Sequence, residues 1–152
     1  MSPRPMSRDF DSRFAIGHSP AFAFPIRIYW EDTDAGGVVY HSNYLRFMER
    51  ARTEWLRAQG IDQVALREAS SLGFVVRDMQ IDFLRPARLD DELVVSVAVK
   101  ERRSASMLFD QVIVRGDTTL VRAKVRAACV NLDTMRPAQI PVDLFPNEFP
   151  FT

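Results

Sequence analysis

From Asn43 to Gln59 the large apolar residues Tyr44, Phe47, Met48, Ala51 and Trp55 recur at steps of three and four. This is the stripe of a helix with one buried face. Glu49, Arg50, Arg52, Glu54 and Arg57 supply much of the opposite side, and Gly60 stands where a helix commonly ends. Beyond residue 74 the period falls to two. In FVVRDMQIDFL (74–84), Val75, Met79, Ile81 and Phe83 share a parity against Asp78, Gln80 and Asp82. Leu93, Val95, Val97 and Val99 form a second such set, and Val121, Ala123, Val125, Ala127 and Cys129 a third; SMLFDQVIV (106–114) is apolar with one polar break. A helix of about 25 Å followed by four alternating segments can bury its stripe only by lying on a sheet.

Turn residues separate the segments at 85–91 (RPARLDD), 102–105 (RRSA) and 115–119 (RGDTT). Such short connections predict four antiparallel neighbours. AFAFPIRIYW (21–30) reads as a preceding strand, and residues 62–70 as a second, shorter helix. The expected class is α+β: one antiparallel sheet with one long helix on its face. Residues 1–20 mix Pro, Ser, Arg and Asp without periodicity and are expected to form a flexible tail ahead of a single domain over 21–152.

The 152 residues suit one domain, with 47% hydrophobic and 26% charged residues. Twenty basic residues balance twenty acidic ones, which argues against nucleic acid or an anionic membrane as the main partner. The single cysteine, Cys129, cannot build a disulfide framework. No segment has the apolar length of a signal peptide or a membrane helix. The expected location is the cytoplasm.

Between the first strand and the long helix lies YWEDTDAGGVVYHSN, residues 29–43. The first turn of a helix offers free N–H groups and the positive end of the helix dipole. Those donors can hold an oxygen that becomes negative in a transition state. A nearby Asp can attack a carbonyl carbon or activate water, and glycines let the backbone approach closely. Asp and Gly are also ordinary turn residues, and an Asp ahead of a helix is often a cap. Spacing does not decide between these uses, nor between Asp32 and Asp34. A calcium loop starting at Asp32 would place Gly36 fifth and Asn43 twelfth, leaving too few acids. Two histidines and one cysteine are too few for a zinc site. No phosphate-binding or dinucleotide glycine motif is present. No metal or cofactor is expected.

The segments EDTDAGGVVYHSNYLRFMERARTEWLR and FVVRDMQIDFLRPARLDDEL resemble the hot-dog-fold acyl-CoA thioesterases of the 4-hydroxybenzoyl-CoA thioesterase type. They are most similar to the branch associated with the bacterial Tol-Pal cell-envelope system. The resemblance runs from about Ile26 to Pro137. It implies a curved antiparallel sheet of about five strands wrapped around the long helix, with chains pairing as a homodimer or homotetramer. It implies hydrolysis of an acyl-CoA, short or medium in chain length, with acyl carrier protein a further candidate partner. It places the chemistry on Asp34, gives Asp32 a loop-holding role, and assigns the polarising backbone N–H to His41, where the hydroxybenzoyl enzymes carry tyrosine. Gly36, Gly37, Tyr40 and Asn43 complete the implied active-site loop. Arg102 and Arg103, in the turn after the third strand, are implied contacts for the CoA nucleotide; two solvated turn arginines are the plainer reading.

Two other activities suit such a chain. One is a module that binds acyl thioesters or acyl carrier protein with weak hydrolysis. The other is a hot-dog hydratase or dehydratase, which usually sets a His and an acid on different elements, whereas Asp34 and His41 share one loop.

Overall fold

The computed structural model describes residues 22–145, so the tail expected over 1–20 lies outside the described residues. Strand β1 (Phe22–Arg27) is followed by a 3-10 turn (Trp30–Asp32), helices α1 (His41–Ala58) and α2 (Gln63–Ser70), and strands β2 (Leu72–Phe83), β3 (Glu92–Arg102), β4 (Ser106–Arg115) and β5 (Thr118–Asn131). The five strands form one curved antiparallel sheet in the order β1-β3-β4-β5-β2, with α1 packed against it.

The β3-β4-β5 meander matches the expectation from short connections. The pairing of β2 with β3 does not: β2 lies at the far edge, against β5. The connection 84–91 crosses the end of the sheet instead of reversing, because its backbone is committed elsewhere. Leu84 and Arg85 both donate to the Leu120 carbonyl, at 2.8 and 3.1 Å, and the Ala87 carbonyl accepts from Val39 at 2.9 Å. Ile28 donates to Asp91 and accepts from Asp90.

A second correction concerns the parity of β2. The register skips Arg77: Val76 lies opposite Ala127, and Asp78 opposite Arg126. This bulge shifts the side-chain phase by one. Phe74 and Val76, not Val75, therefore continue the face that Met79 and Ile81 share with β5.

The predicted stripe of α1 is the core. Tyr44, Phe47, Met48, Ala51 and Trp55 are all buried, against Val95, Val97, Phe109 and Val125 among others. The helix ends as Gly60 predicts. The Gly60 N–H donates to Arg57 O and the Ile61 N–H to Leu56 O, the two bonds of a Schellman ending, with Gly60 left-handed at φ 83°. Buried Leu56 and Ile61 are the C3 and C″ residues whose contact usually closes that motif. Arg52, read from sequence as a solvated residue, is instead buried. Its Nη1 donates to Gln111 Oε1 at 2.8 Å, and Gln111 Nε2 donates to Met48 O at 3.1 Å. Among the described residues no helix is long and apolar enough to cross a membrane.

Candidate active site

The loop between β1 and α1 is tied at its base by Asp32 and Asn43. Asp32 Oδ2 accepts the Tyr29 N–H at 2.8 Å. The Asp32 carbonyl accepts the Tyr40 N–H at 3.0 Å and Asn43 Nδ2 at 3.1 Å. One residue thus joins the entry of the loop, through its carboxylate, to the exit, through its main-chain carbonyl. Asp32→Ala is expected to lower stability by about 0.5–2 kcal/mol, the scale of a lost capping acceptor, while turnover changes only severalfold. Chemical denaturation beside a steady-state assay checks both.

Within the loop, Thr33 bridges Val39, and Val38 bridges Arg88 of the 84–91 connection. The Asp34 N–H donates to Val38 O and the Gly37 N–H to Asp34 O, at 2.9 and 3.0 Å. This closes a tight turn over Asp34-Ala35-Gly36-Gly37. Gly37 sits at φ 78°, a left-handed conformation that favours glycine. Asp34 Oδ1 accepts the Gly36 N–H at 2.8 Å. A Cβ on Gly36 would stand 3.2 Å from that oxygen. The other carboxylate oxygen, Oδ2, meets no donor among the described residues, and Asp34 is exposed.

Helix α1 starts at His41, with Tyr40 as an N-cap that supplies no side-chain hydrogen bond. The Asn43 N–H bonds to Tyr40 O. The N–H groups of His41 and Ser42 have no partner among the described residues and stand at the positive end of the helix. The His41 imidazole lies 4.4 Å from the Tyr40 ring and 6.3 Å from the ring of Phe83. Phe83 in turn packs at 5.8 Å on Tyr44.

Tyr44 links the helix to the 84–91 connection by accepting the Ala87 N–H at 2.9 Å on its hydroxyl. Burial pushes its phenol above the ordinary 10.0; the Ala87 bond and Arg115 oppose the rise, and the charges of Asp91 and Asp34 add to it. Ala87 is wholly buried, so Tyr44→Phe would strand its N–H. The expected loss is about 1–3 kcal/mol, read as a lower melting temperature. Sequence reasoning placed Tyr44 and Phe83 in the core pattern. Both carry the periodicity of their elements, and nothing local marks Phe83 as a neighbour of the loop.

The structure separates the two arginines of the 102–105 turn. Arg102 is the last residue of β3 and only 2% exposed, with Nη1 donating to Phe145 O at 3.2 Å and its guanidinium 5.4 Å from the Phe145 ring. A side chain so enclosed does not reach a nucleotide at the surface, and the CoA contact expected of Arg102 is withdrawn. Arg103 is exposed, 3.5 Å from Glu101. Among the described residues no three His, Cys, Asp or Glu side chains converge as a metal site.

Grooves of about 370 Å³, between α1 and β2, β4 and β5, and about 440 Å³, over β2, β4 and β5, contain neither Asp34 nor His41. The loop is open on the surface of a single chain.

Residues 28–147 match the model of the thioesterase-like superfamily. The chain belongs to this family. The acyl-CoA thioesterase YbgC of Haemophilus influenzae is 48% identical over 123 residues, covering 81% of this chain and 90% of that protein. The acyl-CoA thioester hydrolase YbgC of Escherichia coli O6:H1 is 46% identical over 121 residues, covering 79% and 90%. A crystal structure of a probable thioesterase from Bartonella henselae superposes with a TM-score of 0.76 at 39% identity, covering 80% of this chain and 99% of that one. The YbgC relatives represent the branch to which the loop motif pointed.

Proposed function

We propose that this thioesterase-family protein hydrolyses a short- or medium-chain acyl-CoA, with Asp34 as the reacting acid and the His41 N–H as the donor that polarises the thioester carbonyl. The observation that carries the reading is Asp34 itself: one oxygen fixed by Gly36, the other without a donor among the described residues, on a turn leading into a helix N-terminus with no side-chain cap. The names of the 46–48% identical relatives supply the substrate class. The balance is acyl-S-CoA plus water giving carboxylate, CoA-SH and, at neutral pH, a released proton. Asp34 serves either by attacking the carbonyl carbon, so that water then opens a mixed anhydride, or by taking a proton from the attacking water. The donors stabilise the tetrahedral oxyanion in both routes. A single turnover in ¹⁸O-water with rapid-quench mass spectrometry separates them: label on the Asp34 carboxylate or an acyl adduct on the protein marks the nucleophile, and label confined to the product acid with no acyl adduct marks the base. A cytoplasmic location is proposed with this activity.

The exposed loop favours an assembly in which a second copy covers it. Among the described residues the 12-residue β2 pairs on one side only, and its exposed Val76 and Phe83, followed by Leu84, lie along that end of the sheet. Such an edge is normally covered. A homodimer or homotetramer is the expected active species. Light scattering during assay checks this, and an active 17.4 kDa monomer would contradict it. Arg103 is the remaining candidate of its turn for the nucleotide phosphates.

A further inference from the structure

We infer that Phe83 is a positioning residue: from the end of β2 it holds the His41 imidazole at the mouth of α1. By register Phe83 faces the core side, opposite wholly buried Val121, yet it is 48% exposed. Its ring is thus packed on one part and open on another. The packed part meets Tyr44 at 5.8 Å, with the planes at 52°, and stands edge-on to His41 at 6.3 Å and 85°. Both separations fall in the range where aromatic pairs attract.

Within a single chain, His41 has little else to fix its ring. It is exposed, and among the described residues its imidazole makes no hydrogen bond or ion pair. Its other aromatic neighbour, Tyr40, is 48% exposed and caps no amide with its side chain. Tyr44, by contrast, is 3% exposed and joined to Ala87. The rigid path to the imidazole therefore runs from Ala87 through Tyr44 and Phe83. An exposed imidazole without this edge would spread over its staggered rotamers. One aromatic pair shifts such an equilibrium by about two- to tenfold. The kinetic arm of this inference rests on the proposed hydrolysis; its structural arm does not.

The chain has only two histidines, His18 and His41, so their ring C–H signals are readily assigned by NMR with His41→Ala. In the full-length protein the His41 signal is expected to stand apart from that of a free imidazole, owing to the ring currents of its neighbours. Phe83→Leu should move it toward the free value, and Phe83→Tyr should return it. The kcat for a short-chain acyl-CoA should fall about two- to tenfold in Phe83→Leu with KM little changed, recover in Phe83→Tyr, and fall less than twofold when Phe83→Leu is added to His41→Ala. Phe83→Met replaces Phe83→Leu if the latter does not fold. An unmoved His41 signal, or an equal kcat loss with and without the imidazole, overturns the inference. A wild-type protein without acyl-CoA turnover overturns the proposed function instead, and the NMR comparison still decides the role of Phe83.

Discussion

Asp34→Asn is expected to reduce acyl-CoA turnover by at least about 10²–10⁴-fold, the worth of a positioned acid–base group, with folding nearly unchanged. The amide keeps the shape of the side chain, and its oxygen can still accept the Gly36 N–H that Asp34 Oδ1 now holds at 2.8 Å. The turn and its left-handed Gly37 therefore need not rearrange. What is lost is the anionic oxygen, needed both for attack on the carbonyl carbon and for taking a proton from water. Substrate binding should survive, so the loss should appear in kcat. Circular dichroism and a CoA-binding titration on the same preparation separate lost chemistry from lost structure. Near-wild-type hydrolysis by pure Asp34→Asn protein would remove Asp34 from the reaction.

The second large effect separates the two parts of His41. Alanine at this position keeps the backbone N–H and removes the imidazole. Proline removes the N–H as well. His41 is the first residue of α1, where proline is tolerated, and Tyr40 before it already has the extended backbone that a following proline requires, φ −63° and ψ 133°. His41→Ala is expected to cost about 10²-fold in turnover if the imidazole protonates the departing thiolate or positions water, as its place beside the loop suggests. His41→Pro is expected to cost about 10²–10³-fold more, the worth of one oxyanion donor. Equal rates for wild type and His41→Ala would leave the amide as the whole contribution. Equal rates for the alanine and proline variants would move the oxyanion donor elsewhere.

The long helix and its buried stripe were legible in the sequence because large apolar residues at steps of three and four leave few other foldings. The meander β3-β4-β5 was legible for a similar reason, since strict alternation and tight turns fix both phase and pairing. The phase of β2 was not. A bulge at Arg77 costs one unpaired residue and leaves no mark in composition. The pairing of β2 with β5 was hidden because a short connection can cross a sheet end as well as reverse, and hydrogen bonds from distant residues decide which. Arg52 was misplaced because charge was read without its partner. The acceptor is Gln111, part of the polar break in the otherwise apolar segment 106–114. Arg102 was misplaced because a turn motif does not say which of two adjacent arginines ends the strand facing inward.

The candidate site shows the same division. The local parts lie within 15 consecutive residues, 29–43: an acid, a pair of glycines and a helix start. They suggested a chemistry, and only the family resemblance favoured Asp34 over Asp32. The side-chain hydrogen bonds do not separate the two, since among the described residues each carboxylate accepts one backbone N–H, Asp32 from Tyr29 and Asp34 from Gly36; Asp32 differs in tying the loop base through its main-chain carbonyl as well. The distant part, Phe83, reaches the loop by tertiary packing alone, against His41 and Tyr44. No local pattern could have announced it.

The most direct measurement follows free thiol released from butyryl-CoA by the purified protein, with hydration of the corresponding enoyl-CoA monitored in parallel. Thiol release that depends on Asp34, with the enoyl ester left unhydrated, is the predicted result. Hydration without thiol release, or stoichiometric binding of both esters without turnover, would contradict the account.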